Sequence, residues 1–103
     1  MLTIGHLEEA MELIAPSRLA EEWDNVGLLV GSRNNPLQRA LLCVDLREDV
    51  LAEALGKGVE AIVAYHPPIF HPVKRIEDST PQGRILLEAI AAGIAIYAPH
   101  TAA

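Results

Sequence analysis

Three apolar runs separated by two capped amphipathic stretches constrain this chain more than any other feature. The runs are ALLCVD (Ala40–Asp45), EAIVAY (Glu60–Tyr65) and IAIYAP, whose strand portion is Ile94–Ala98. Each is continuous rather than alternating, as expected of a strand buried on both faces. Between the first two, Val50, Leu51, Ala54 and Leu55 form an apolar stripe at helical spacing, stopped by Gly56-Lys57-Gly58. Asp45 with Glu48 three residues later looks like a capping box at its start. Between the second and third, Thr80-Pro81 reads as an N-cap with proline at the first helical position. Ile85, Leu86, Ala89 and Ile90 follow on one face, and Gly93 ends that helix. The pattern βαβαβ calls for right-handed crossovers and a parallel sheet, so the fold class is α/β with helices packed on the sheet.

The N-terminal part adds a helix and one further strand. Thr3 is placed to cap a helix whose Ile4, Leu7, Met11 and Ile14 share a face; Glu8, Glu9 and Glu12 lie largely opposite, as a solvated face. Pro16 ends it, and SRLAEEW suggests a helical turn. VGLLVG (Val26–Gly31) reads as a short strand, and SRNNPLQ as a turn cluster. One domain covers residues 1–103. The chain stops soon after His100-Thr101 with no closing helix, which suggests a truncated unit with one sheet face uncovered.

Composition narrows the function. A formal net charge of −6 and a pI near 5.0 argue against a nucleic-acid-binding surface, which is normally basic. One cysteine, Cys43, rules out an intramolecular disulfide and is compatible with a reducing, cytoplasmic location. Its apolar run marks it as a core thiol. The acidic N-terminus, MLTIGHLEEAM, lacks the basic and apolar regions of a signal peptide. No apolar run nears the length of a membrane span.

The chemistry concentrates at strand ends. Asp45 ends one parallel strand, His66 follows the next and His100 follows the third. All three therefore belong to the carboxyl edge of the sheet, where open α/β sheets bind ligands. One carboxylate and two imidazoles suit a transition metal. The stretch AYHPPIFHP (Ala64–Pro72) ends a strand on His66 and follows it with two prolines, which stiffen the backbone beyond the imidazole. Against a site, a lone histidine at a strand end is commonly structural, and Asp45 serves equally as a helix cap. His71 and His6 read as solvated residues.

EEWDNVGLLVG (Glu21–Gly31), AYHPPIFHPVKRI (Ala64–Ile76) and IYAPHTA (Ile96–Ala102) together resemble the Nif-three-like family, in order and across nearly the whole chain. That family is also described as a dinuclear metal-centre family, some members being called type 2 GTP cyclohydrolase I. The resemblance implies the N-terminal half of a fold built from two intertwined halves. It implies two divalent metals per full-length subunit, zinc, iron or manganese, and a homo-oligomer, a hexameric ring. By position, Tyr65-His66 matches a ligating His-His pair whose first histidine is tyrosine here. Tyrosine is the poorer ligand, because its phenol must first lose a proton of pKa about 10. His66 is the retained metal ligand. His100-Thr101 matches the start of a His-Thr-x-x-Asp motif whose aspartate falls beyond Ala103. Trp23, Asp24 and Asn25 match a turn beside the family's site, and Asp45 a recurrent acidic position. Together with Tyr65 these are the candidate substrate-contacting or orienting residues.

Two functions compete on this basis. One is a metal-dependent hydrolase of the GTP cyclohydrolase type acting on a small nucleotide. The other is a metal-binding scaffold or regulatory partner without turnover. No glycine-rich phosphate loop supports nucleotide recognition independently. With several ligands missing, the fragment itself is expected to bind metal weakly or not at all, and to be inactive.

Overall fold

The computed structural model describes residues 1–103. Helix α1 (Ile4–Ile14) begins at Thr3, whose hydroxyl accepts from the His6 backbone N–H. The His6 Nδ1 in turn accepts from the Thr3 backbone N–H at 2.9 Å, so a histidine supplies the return half of a capping box. His6 is thus a capping residue rather than a free surface one. Two of the three glutamates on α1 are also engaged. Glu8 pairs with Arg33 at 2.7 Å, and Glu12 accepts from the Ser17 backbone N–H at 3.0 Å. Ser17–Leu19 form one 3-10 turn.

Strand β1 (Gly27–Val30) and strand β2 (Ala40–Cys43) come next, then helix α2 (Glu48–Lys57), strand β3 (Ala61–Ala64), helix α3 (Pro81–Ala91) and strand β4 (Ala95–Ala98). They form one sheet in the order β1-β4-β3-β2. β2, β3 and β4 are parallel, and β1 joins β4 antiparallel. The strands are shorter than the apolar runs that announce them, but pairing outlasts the strands. Tyr65 N–H donates to Cys43 O and His66 N–H to Val44 O, at 3.0 and 2.9 Å.

The helices behave as their sequences require, with one correction. Thr80 caps α3, accepting from Gly83 N–H, and Pro81 opens it. Gly83 has a second duty, since any Cβ there would collide with the Glu77 carbonyl. α2 is not capped by Asp45. Its N-cap is Arg47, without a side-chain cap bond, and Gly58 in the left-handed conformation closes it after Lys57. Asp45 lies two residues before that cap and turns to a partner on the neighbouring strand instead.

The core sits between α2, α3 and one face of the sheet. Ile62, Ala64 and Ile96 point there and meet Leu51, Ala54, Ile85, Leu86 and Ala89. The alternate residues Ala61 and Ala95 face the other way and meet Ile4 of α1. That second face is covered in part only. Leu42 is 75% exposed, Val44 59% and Ile14 of α1 78%. The last residue of the α1 apolar stripe therefore has no neighbour to bury it within this chain. No helix is long and apolar enough to cross a membrane.

Candidate metal centre

Both histidines of interest sit where a ladder runs out. The parallel register pairs Cys43 with Ala64, so two residues further on Asp45 lies level with His66. The antiparallel register pairs Gly27 with Ala98; three residues back and three forward bring Asp24 level with Thr101. Strand pairing thus delivers one carboxylate to each histidine.

The Asp24 end is the more elaborate. Pro99 leads from β4 into a 3-10 turn, His100–Ala102, and His100 takes φ of 30°, a left-handed conformation uncommon outside glycine. Asp24 holds that turn. Its Oδ2 accepts from the Thr101 backbone N–H at 3.0 Å and from Thr101 Oγ1 at 2.6 Å. Both its oxygens lie 2.9 Å from His100 Nδ1, and Oδ1 takes the Asn25 N–H at 2.8 Å. The Asp24 side chain has no solvent exposure, and that of His100 is 21% exposed. Burial alone would push the carboxyl upward. The hydrogen bonds from His100, Thr101 and Asn25 outweigh it and hold Asp24 well below the usual carboxylate range. Since the ionised carboxylate can only accept, His100 Nδ1 donates, and in the neutral ring the lone pair rests on Nε2.

The Asp45 end is simpler. His66 Nδ1 and Asp45 Oδ1 are 2.6 Å apart, with the side chains 48% and 56% exposed. Nδ1 is again the bonded nitrogen. Neither Nε2 has a hydrogen-bond partner in the protein. The two imidazole centroids are 5.4 Å apart at 83°. Tyr65 lies beside both, 5.1 Å from His66 and 5.4 Å from His100. Trp23 meets His100 edge-on at 6.2 Å and is 61% exposed, so it belongs to this rim and not to the core.

The loop after His66 is pinned from two sides. Asn25 Nδ2 donates to Ile69 O at 2.6 Å, and Gln82 Nε2 donates to Pro68 O at 2.8 Å. Asn25 therefore fixes the loop that carries Phe70. His71 is exposed and packs its ring on Phe70 at 4.9 Å. Cys43 lies nearby, and burial and then the Asp45 charge push its thiol up, away from the thiolate form. A cleft of about 500 Å³ between the starts of α2 and α3 is lined by neither imidazole.

The donor chemistry fits a metal in part. Imidazoles held at Nδ1 by a carboxylate, with Nε2 free, have the arrangement of ligating histidines. The count is short, since no group of three or more His, Cys, Asp or Glu is placed to hold one ion. Two residues escaped the sequence reading. Thr101 clamps Asp24, and Phe70 stands beside Trp23 at 6.1 Å. Both lie inside the quoted motifs, yet nothing in residue type alone marks them.

A family model described as Duf34/NIF3 (NGG1p interacting factor 3) matches residues 2–103. The chain belongs to the DUF34/NIF3 family. Among its relatives, NIF3-like protein 1 of Drosophila melanogaster is 47% identical over 93 residues, covering 89% of this chain and 32% of the fly protein. A protein of Streptococcus pneumoniae named GTP cyclohydrolase 1 type 2 homolog is 39% identical, covering 90% and 35%. The crystal structure of a Bacillus cereus protein related to NIF3 superposes with a TM-score of 0.91 at 37% identity, over 97% of this chain and 28% of the other. The chain thus spans about a third of the length of these DUF34/NIF3 relatives. The α/β reading and the antiparallel placement of β1 agree with that membership.

Proposed function

We propose that this chain is the N-terminal part of a metal-binding DUF34/NIF3 protein and contributes His66 and His100 as imidazole donors. The observation that carries this is the pair of carboxylate-anchored imidazoles, 5.4 Å apart, each with Nε2 free. Catalytic zinc keeps about three protein ligands and structural zinc about four. Two donors fall short, so further ligands come from the length that the relatives have and this chain does not.

A bound divalent metal, zinc, iron or manganese, supplies Lewis acidity and activates water near neutral pH. The chain's own residues set the stage. Asp24 fixes the tautomer and orientation of His100, and Asp45 does the same for His66. Thr101 and Asn25 keep Asp24 ionised and immobile. Tyr65 flanks both rings, and Trp23 borders the open side. In the assembled protein, a homo-oligomer by analogy with the family, this suits hydrolysis of a small nucleotide of the kind named in the GTP cyclohydrolase relatives. A second reading, a metal-binding scaffold without turnover, is favoured by Tyr65 standing where a histidine would complete the pair.

Zinc-edge X-ray absorption on the zinc-loaded chain tests the donor assignment. Two imidazoles per zinc at about 2.0–2.1 Å, with oxygen completing the shell, are expected. A spectrum with no imidazole scattering, or one unchanged in His66→Ala, rejects it. Release of formate from GTP by the chain joined to the remaining length of its relatives separates hydrolase from scaffold.

A further inference from the structure

Of the four Phe, Trp and Tyr residues, three stand exposed, Tyr65 and Trp23 beside the imidazoles and Phe70 beside Trp23. Only Tyr97 is buried, at 2% exposure; Trp23 is 61% exposed, Tyr65 42% and Phe70 40%. A chain this poor in aromatic side chains uses one of them for its core and gathers the rest on one rim. Trp23 and Phe70 meet edge to face at 6.1 Å and 63°, and Trp23 meets His100 in the same way. Each edge contact covers at most one ring face, and Trp23 and Phe70 keep exposed surface on which another ring can stack.

The rings are also held in advance. Pro67 and Pro68 stiffen the loop before Phe70, while Asn25 and Gln82 grip the carbonyls of Ile69 and Pro68. Trp23 sits in a turn closed by Asp24 N–H to Glu21 O at 3.0 Å. Thr101 fastens that turn again by accepting from Glu21 N–H at 2.9 Å. Aromatic side chains on anchored segments lose little freedom on binding.

From this geometry we infer that Trp23 and Phe70 form an aromatic corner in which a planar nitrogen heterocycle, such as the base of a nucleoside, stacks on one ring and meets the other edge-on, presented to the His66–His100 rim. This deepens the proposed function, since it rests on that rim being a ligand site. The charged neighbours select the ligand class. Asp45 is 56% exposed and its second oxygen makes no hydrogen bond, so it can accept from ring N–H or amino groups. No Lys or Arg is bonded to any group on the rim, and the chain carries a net charge of −6. The nearest cation, Arg47, is engaged by Asp49, so the ring itself is what the aromatic corner reads.

Trp23 is the sole tryptophan, so its fluorescence reports directly on stacking. Adenosine is titrated into this chain with a chelator present, and ribose serves as the control. Saturable quenching by adenosine but not by ribose is expected. Phe70→Leu, checked for folding by circular dichroism, weakens the apparent affinity at least about fivefold, the low end for one aromatic contact to a base. Should that variant fail to fold, Trp23→Leu followed by calorimetry makes the same comparison at an exposed position. Absence of saturable quenching overturns the inference. So does equal affinity in the variant, or Trp23 emission that tracks protein concentration while sedimentation shows dimers indifferent to adenosine. Because the chelator excludes metal throughout, failure of the donor assignment leaves this result intact. Zinc binding without adenosine quenching removes the aromatic corner alone.

Discussion

The two carboxylate–imidazole pairs on this rim use the same atoms for different ends. The Asp24 carboxylate is shut away from water and receives the His100 imidazole, the Thr101 hydroxyl and the backbone N–H groups of Thr101 and Asn25, while His100 itself keeps some exposure. Asp45–His66 stands half in solvent and consists of one hydrogen bond. The first pair ties the end of β4 to the turn before β1 and is part of the fold. The second adds little to the fold and leaves its imidazole accessible. The difference teaches that similar pairs at two ladder ends can be held by different means, one carboxylate locked into the fold and the other resting on a single exposed hydrogen bond.

The comparison predicts a graded series of effects. Asp24→Ala leaves the Thr101 hydroxyl and two backbone N–H groups without their acceptor, on top of the lost imidazole bond. It is expected to cost about 3–5 kcal/mol, the range for breaking a buried charged network, measured by urea unfolding. The same carboxylate governs the acid limb. Its folded pKa is depressed, so its contribution to stability is present above the unfolded value near 3.9 and is lost as pH falls toward the folded value. Asp24→Asn should flatten the loss of stability below about pH 4; an unchanged acid limb would break the distinction between the pairs. Thr101→Val removes one donor from Asp24 and should cost about 1–2 kcal/mol in the same assay. Asp45→Ala should cost less than about 1 kcal/mol, because the pair it breaks is exposed. A cost equal to that of Asp24→Ala would show that the exposed pair also holds the fold.

β3 and β4 were legible because strands buried on both faces leave continuous apolar runs, and both are buried at every position, whereas β2 carries a similar run at the sheet edge but alternates between exposed and half-buried. The carboxyl edge followed from the alternation with α2 and α3. Asp45 was less legible. An acidic residue after a strand serves a helix N-terminus and a neighbouring imidazole equally well. Only the register of β2 on β3, which brings His66 level with it, decides between them. The clamp of Thr101 on Asp24 spans 77 positions and depends on the antiparallel register of β1 on β4. No local pattern encodes such a pairing; the resemblance located the residues without stating their bond. The exposed end of α1 follows a similar logic. Its apolar stripe is helical in spacing whatever covers it, so spacing alone could not show that Ile14 would lie bare.

Calorimetric titration of this chain with zinc tests most directly the claim that His66 and His100 are two donors of an incomplete metal centre. The account predicts weak binding, micromolar or poorer. It predicts that the heat is lost in His66→Ala and in His100→Ala, and that affinity is reduced in Asp45→Ala, where the ring loses its orienting carboxylate. Submicromolar affinity would contradict the count of two donors, and a titration indifferent to His66→Ala would contradict the centre itself.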